Sequence, residues 1–403
     1  MTMKRIRNKI KYWSQLLLIP IYALTYIMPR SKNIWVFGST FGRRFADNPK
    51  YFYLYVIQNQ SSNVRAIWIS KDKNIVEFLR DKKVEAYYLY SIKGIWFALR
   101  AKVYIYDNYS KDICFTLSGG AKKINLWHGI PLKMIAKDNV FDRVRNPRNF
   151  REKISSIPRR ISDEKPNDYL IATSTFMKPI IQSAFQTKNV LINGYPRNDN
   201  LLFEHIKVIS WESEMNLHKQ IMKWKENNKI VLYMPTFRSS EDKFFDIINP
   251  DSFQEYLQNN NIIFLVKLHP KSKLYTNFKK LGVSNMIIIN PENDIYNILN
   301  MVDVLVTDYS SIYFDFLITD KPIIFFSYDL EEYLNNSRKM YFDYYEFTPG
   351  PIVVNQNELE AVILEDDKYY DERNKLKQKV FDYNIKFASE NLFLKIYQII
   401  NNK

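Results

Sequence analysis

From residue 34 onward the chain is a succession of short, nearly continuous apolar runs separated by longer amphipathic stretches. Residues 34–39, 65–70, 86–90, 102–107, 123–127, 168–173 and 190–193 are expected as strands, with helices over 49–60, 73–79 and 175–185. Apolar runs without polar alternation suit strands covered on both faces, and strand–helix alternation builds a parallel sheet. A polar, helix-like passage over 201–228 separates a second series of strands at 230–235, 262–269, 286–290, 304–307 and 322–327. The final stretch, from about 382 to 403, has a helical rhythm. The pattern predicts an α/β protein of two doubly wound parallel-sheet domains of similar size, residues 31–212 and 213–385, facing one another and followed by a terminal helix over 386–403.

The first thirty residues follow a different rule. Lys4, Arg5, Arg7, Lys9 and Lys11 precede Tyr12 and Trp13, and then an apolar run extends from Leu16 to Met28 with Pro20 inside it. A bilayer-spanning helix needs about 20 apolar residues, more than this run supplies. A basic start, flanking aromatics and a short apolar run describe an amphipathic segment lying in a membrane interface. No small-residue cleavage site follows, which argues against an exported leader.

Composition narrows the field. A net charge of +15 attracts phosphates, whether on nucleotides, anionic lipids, acidic polymers or nucleic acid. Nucleic acid is the poorest of these, because no RNA- or DNA-binding module is recognisable. The single cysteine, Cys114, excludes an intramolecular disulfide and a cysteine-based zinc site. With only nine glycines there is neither a G-x-G-x-x-G nor a P-loop motif, so the common dinucleotide fold and the P-loop NTPases are poor candidates.

Candidate chemistry gathers at strand ends. His128, in Trp127-His128-Gly129-Ile130-Pro131, closes an apolar run in the first half, and His269 closes another, before Pro270, in the second. Histidine is scarce here, with four in the chain, so two at strand ends point to a cleft between the halves. Arg238 follows a third strand and offers a guanidinium to a phosphate. Ser310 and Ser311 follow a fourth and open a helix, where hydroxyls and free N–H groups can cradle an anion. Asp315 falls inside that helix and is expected to be structural.

Taken together these motifs resemble the CDP-glycerol glycerophosphotransferase family, the enzymes that prime and polymerise wall teichoic acid. The resemblance covers roughly residues 34–385. It rests on Trp127-His128-Gly129-Ile130-Pro131-Leu132-Lys133, Gly194-Tyr195-Pro196-Arg197-Asn198-Asp199, Pro235-Thr236-Phe237-Arg238, Lys267-Leu268-His269-Pro270 and Thr307-Asp308-Tyr309-Ser310-Ser311. Asp47-Asn48-Pro49-Lys50 echoes the family's acceptor-side loop. Ile130 stands where Thr is usual and Lys339 where Gly is common, departures that bear on acceptor contacts and on local backbone geometry.

The resemblance implies a GT-B fold with the acceptor in the first domain and a CDP-linked donor in the second. Glycerol phosphate would pass from CDP-glycerol to a hydroxyl of a polyprenyl-diphosphate-linked acceptor, releasing CMP, on the cytoplasmic face of the membrane. His128 and His269 take the catalytic positions. Arg238, Ser310 and Ser311 take the diphosphate positions, with Thr307, Asp308 and Lys267 in the same motifs. Lys133, Asp47 and Asn48 fall to the acceptor side. The basic stretch carrying Arg143, Arg145, Arg148 and Arg151 is expected to meet acceptor phosphates or anionic lipid. No metal-ligand cluster is visible, so a cation is either absent or arrives as Mg2+ with the donor. The alternatives are a ribitol-phosphate transferase using CDP-ribitol, or a GT-B glycosyltransferase using a nucleotide sugar.

Overall fold

The computed structural model describes residues 12–60, 63–163, 167–202, 206–238, 243–272, 274–282, 284–336, 339–382 and 386–401. The basic cluster Lys4, Arg5, Arg7, Lys9 and Lys11 lies outside them. The first lobe is built on seven parallel strands: β1 (Ser31–Phe37), β2 (Arg65–Ser70), β3 (Ala86–Tyr88), β4 (Ala101–Tyr106), β5 (Lys122–Asn125), β6 (Tyr169–Ala172) and β7 (Val190–Ile192). Their order is β3-β2-β1-β4-β5-β6-β7. The second sheet has six parallel strands: β8 (Lys229–Tyr233), β9 (Ile262–Val266), β10 (Met286–Ile288), β11 (Val304–Thr307), β12 (Ile323–Phe326) and β13 (Ile352–Val353), in the order β10-β9-β8-β11-β12-β13. Each sheet therefore has a switch point where the winding reverses, at β1/β4 and at β8/β11. Ligands of open α/β sheets bind outside the carboxyl ends of the strands at such points.

The strands form where expected because burial on both faces selects the apolar runs: every residue of β9 and of β11 is buried. Most of them stop earlier than the sequence pattern indicates. β5 ends at Asn125 and β9 at Val266, so each histidine sits on the loop, three residues beyond its strand. The two-residue β13 was invisible to periodicity, being too short to show a repeat. Helices also missed include Ile92–Arg100, Phe150–Asp163 and Tyr370–Val380.

The lobes are joined by a continuous apolar core that runs from Trp35 and Phe37 through Tyr195, Tyr296 and Tyr313 to Ile230 and Leu305. The chain crosses between lobes twice, once before β8 and again after the helix Tyr370–Val380. At the second crossing Thr173 donates to the carbonyl of Val380 (2.7 Å) and Asp382 accepts from the Thr175 amide (3.0 Å). The helix Ala388–Asn401 then packs on the first lobe. Its amino end is capped by the buried Asp199 carboxylate, which accepts from the amides of Ala388 (2.7 Å) and Ser389 (2.8 Å), a favourable use of the positive helix end. Phe393 packs against Trp35 with ring centroids 5.4 Å apart.

The amino-terminal segment is a chain of short turns: Ser14–Leu18, the helix Ile19–Leu24 and Thr25–Ile27. Pro20 does not break this run; it stands in the first turn of Ile19–Leu24, where its missing N–H costs nothing. One side is tied down: Tyr22 stacks on Phe115 at 4.5 Å and Thr25 Oγ1 accepts from the Gly119 amide at 3.0 Å. The other side leaves Leu17, Leu24 and Ile27 at 77%, 63% and 80% exposure. Among the described residues no helix is long and apolar enough to cross a membrane.

Because Phe393 fills the first lobe's core from the far end of the chain, Phe393→Ala should cost about 3 kcal/mol or more. Urea unfolding followed by tryptophan emission should place that loss in the first lobe. An unchanged midpoint would show that the terminal helix is not part of that core.

Candidate active site

The carboxyl ends of both sheets open into a cleft of about 630 Å3. Its walls come from both lobes: Asp47 and Lys133 from the first, and Pro235–Phe237, His269, Ser310 and Ser311 from the second. The loop after β5 is the first-lobe face. Trp127 is held in the left-handed region (φ 55°), which a bulky residue adopts only when its surroundings force it. Three contacts supply that force. The Trp127 amide donates to Asn125 Oδ1 (2.9 Å), its carbonyl accepts from Asn48 Nδ2 (2.9 Å), and its ring packs against Phe185 (4.7 Å).

The turn delivers His128 to the rim of the cleft, exposed and outside its lining. His128 Nδ1 lies 3.1 Å from the carbonyl of Asp107, which follows β4. A carbonyl only accepts, so Nδ1 carries the proton and Nε2 presents its lone pair. Gly129 comes next, and a β-carbon there would stand 3.2 Å from Ser311 Oγ, so the first-lobe loop closes directly over the second-lobe serine.

On the second lobe the expected donor residues separate into two groups. His269 lines the cleft, accepts from the Lys271 amide through Nδ1 (3.1 Å) and packs against Phe237. Ser310 and Ser311 also line it and are half-buried. Neither side chain caps the following helix, Ile312–Phe316, which leaves their hydroxyls for a ligand. That helix is only five residues long, so its dipole is a smaller contributor than the sequence pattern indicates.

Arg238, Asp308, Thr307 and Lys267 are not free ligands. Arg238 is buried and bonds Asp329 through both Nε (2.6 Å) and Nη2 (2.9 Å), Asp308 (2.6 Å) and the Thr236 carbonyl (3.0 Å). It also lies between the rings of Tyr309 and Tyr328. A guanidinium so committed cannot clamp a phosphate. Asp308 is fully buried and accepts from the Thr236 amide as well (2.9 Å). Thr307 donates to the Met234 carbonyl (2.8 Å). Lys267 borders the cleft, but its ammonium donates to the carbonyls of Asn290, Pro291 and Asn293 (2.7–2.8 Å). Burial lowers the Lys267 pKa to about 7, while satisfying all three carbonyls needs the ammonium form. These four side chains shape the wall that Thr236, Phe237 and the two serines present.

The acceptor-side residues divide in the same way. Lys133 lines the cleft with its ammonium 5.5 Å from the centre of the Tyr333 ring. Asp47 borders the cleft and accepts from Arg197 (2.6 Å); burial holds its carboxyl above the ordinary range despite that partner. Asn48 is fully buried and serves the Trp127 turn, so no acceptor can reach it. In the basic stretch, Arg148 and Arg151 are exposed and Arg143 is half-buried. Arg145 is buried, paired with Asp142 (2.5 Å) and with the hydroxyl of Tyr109 (2.5 Å), which removes it from any membrane surface.

Two features had no place in the sequence reading. Arg197, quoted there within a motif but given no role, binds Asp47, the His128 carbonyl (3.0 Å) and Asp315 (2.6 Å) together. Asp315, read as structural, proves to be the second-lobe end of this bridge; it also accepts from Asn198 (2.9 Å) and Tyr296 (2.7 Å). Lys50 forms a buried ion pair with Asp294 across the lobes (2.7 Å). Burial works to raise Asp294, but Lys50 and hydrogen bonds from Tyr296 and Tyr51 hold it below the ordinary range. The signal for Arg197 was an Arg-Asn-Asp run directly after a strand and a proline, where charged residues have little reason to be unless partnered. Among the described residues no group of three or more His, Cys, Asp or Glu side chains is placed to hold a metal ion.

Comparison with known proteins fits this geometry. Residues 20–398 match the family described as CDP-Glycerol:Poly(glycerophosphate) glycerophosphotransferase. The chain is 28% identical over 384 residues to the teichoic acid poly(glycerol phosphate) polymerase of Bacillus spizizenii, covering 92% of this chain and 93% of that protein. It is 29% identical over 374 residues to the teichoic acid glycerol-phosphate transferase of Staphylococcus aureus, covering 88% and 89% respectively. Its fold is similar to that of the wall teichoic acid polymerase TagF, with a TM-score of 0.73 at 23% identity, over 99% of this chain and 98% of that one.

Removing one partner of a buried ion pair costs about 3–5 kcal/mol, so Arg238→Met should be felt first as lost stability. Chemical denaturation should show a loss of that order. A variant of unchanged stability with only weakened donor binding would return Arg238 to the ligand set.

Proposed function

The chain belongs to the CDP-glycerol:poly(glycerophosphate) glycerophosphotransferase family, and from that premise we propose that it moves glycerol phosphate from CDP-glycerol to a hydroxyl of a membrane-linked acceptor, with release of CMP, in the synthesis of teichoic acid or a related surface polymer. The observation that carries the mechanism is the 3.1 Å contact between His128 Nδ1 and the Asp107 carbonyl. With Nδ1–H given to the Asp107 carbonyl, Nε2 is a general base at the mouth of the cleft. The acceptor hydroxyl loses its proton to Nε2 and its oxygen bonds the glycerol-bearing phosphorus. The bond from that phosphorus to the bridging oxygen breaks, and CMP leaves with the bridging oxygen and the electron pair.

Such a transfer depends on in-line positioning and charge neutralisation more than on covalent chemistry. In this reading Ser310 and Ser311 hydrogen-bond the donor diphosphate. His269 and Lys133 meet the charge that builds on the leaving CMP. Arg197 fixes the His128 loop relative to the serines, so that base and phosphorus approach along one line. A Mg2+ ion, where the reaction uses one, would arrive with the donor and would neutralise part of the diphosphate charge.

We further place the enzyme on the cytoplasmic face of the membrane as a peripheral protein acting on a polyprenyl-diphosphate-linked acceptor. Two neighbouring surfaces support this. The amino-terminal segment exposes Leu17, Leu24 and Ile27, and the helix Phe150–Asp163 exposes Phe150, Ile154 and Ile157 beside Arg151 and Lys153. The Tyr12 hydroxyl donates to the Ser155 carbonyl (2.7 Å), which ties the two into one face. Apolar side chains among cations suit the boundary between headgroups and acyl chains.

His128→Ala and His269→Ala should each lower turnover by about 10²-fold or more, the order expected for losing a positioned acid–base group, and both proteins should melt near the parent temperature because both rings are exposed. CMP release from CDP-glycerol is the readout, and near-parental turnover removes that histidine from the mechanism. Arg148→Glu combined with Arg151→Glu should release the protein from phosphatidylglycerol vesicles, and added salt should do the same; salt-insensitive sedimentation argues against the lipid contact.

A further inference from the structure

We infer that the small cavity behind the His128 loop seats a phosphate of the acceptor, so that the hydroxyl to be extended is recognised through a neighbouring phosphodiester. The inference rests on the transfer reaction proposed above. The cavity measures about 200 Å3 and is walled by Tyr109, Lys137, Arg145, Asn167, Phe185 and Thr187, all from the first lobe. It is separate from the cleft that takes the donor. A volume of this size accommodates a phosphate with a three-carbon polyol and is too small for a nucleoside diphosphate.

The walls are built for an anion. Arg145 is 8% exposed, yet its two hydrogen bonds, to Asp142 and to the Tyr109 hydroxyl, use only two of the five donors of a guanidinium. The Tyr109 ring supports the guanidinium from one side at 5.6 Å. Lys137 supplies a second cation, anchored by a bond to the Arg145 carbonyl (3.2 Å). Two cations against the one carboxylate of Asp142 leave a net positive site, and a fixed guanidinium fork is well matched to phosphate oxygens.

The cavity also lies in the right place. Tyr109 is two residues from Asp107, whose carbonyl holds the His128 ring. Phe185, also in the wall, packs on Trp127, and the Trp127 and His128 ring centroids are 4.0 Å apart. A phosphodiester seated here would hold the next hydroxyl of the acceptor toward the imidazole. Arg145 and Lys137 belong to the connection that leads into the helix Phe150–Asp163, which ties this cavity to the face proposed above to meet the membrane.

The test uses the full-length protein and a soluble oligomer of glycerol phosphate as acceptor. Arg145→Gln should raise the acceptor KM about tenfold or more, the order expected for losing a charged hydrogen bond, and Lys137→Gln should raise it less, with the KM for CDP-glycerol unchanged in both. Arg145→Lys, which keeps the charge and loses the fork, should fall between Arg145→Gln and the parent. It also serves, with the half-exposed Lys137 variant, should Arg145→Gln fail to fold. Calorimetric titration of the oligomer into His128→Ala protein, with and without Arg145→Gln, reads the same site without turnover. Equal affinities there, unchanged acceptor KM values, or a parallel rise in donor KM overturn the proposal. Loss of phosphatidylglycerol vesicle binding with oligomer affinity intact also overturns it, by assigning Arg145 to a lipid headgroup. A parent enzyme that titrates the oligomer in an Arg145-dependent way but does not turn over CDP-glycerol sinks the reaction and leaves the phosphate site standing.

Discussion

One buried guanidinium sets the working geometry of this molecule. Arg197 lies where the carboxyl ends of the two sheets meet, and it holds Asp47 and the His128 carbonyl on one side and Asp315 on the other. Charges buried this deeply are tolerated only when every partner is in place, because removing one leaves another stranded in a medium that solvates it poorly. That requirement fixes distances as well as composition. Asp315 stands on the helix that begins just after Ser311, and His128 follows the strained Trp127, so the basic nitrogen and the serine hydroxyls are referenced to a single side chain. Lys50 and Asp294 make a second buried tie between the lobes.

The site is therefore assembled from two kinds of polar residue that look alike in sequence. Arg238, Asp308, Thr307, Lys267 and Asn48 spend their hydrogen bonds on other side chains or on backbone, and what they produce is shape. Ser310, Ser311, His269 and Lys133 line the cleft and His128 stands at its rim, and what they offer is chemistry. The division follows from burial. A loop that must present a few open groups to a ligand leaves its own backbone polar groups uncovered, and these need internal partners before the loop can hold still.

The architecture was largely legible because it depends on quantities written along the chain. Runs such as Ile262–Val266 are apolar throughout since both faces of the strand are covered, and alternation with helices then dictates parallel sheets. Membership of the family was legible for a related reason: short motifs at strand ends keep their order whatever the loops between them do. The roles of individual residues were not. Whether Arg238 faces a phosphate or a pair of aspartates is decided by Asp329, far downstream, and no local pattern records that meeting. Arg197 was passed over because its importance lies in joining Asp47 to Asp315, two residues with nothing in common in the sequence. Arg145 carried the same charge as Arg148 and Arg151 on paper, and only the fold turns it inward.

The closing helix bears on how this protein comes to exist. Ala388–Asn401 completes the core around Trp35, so the lobe made first is finished by residues made after the second lobe. A nascent chain leaving the ribosome must carry an unfinished first sheet, with an apolar face open, through the synthesis of the whole second lobe. The second lobe, contiguous in sequence between the crossings, has no such wait. The first lobe therefore cannot complete its core until the second has been made, and the interval in which an apolar face is open to chaperones and proteases falls on the half that carries His128.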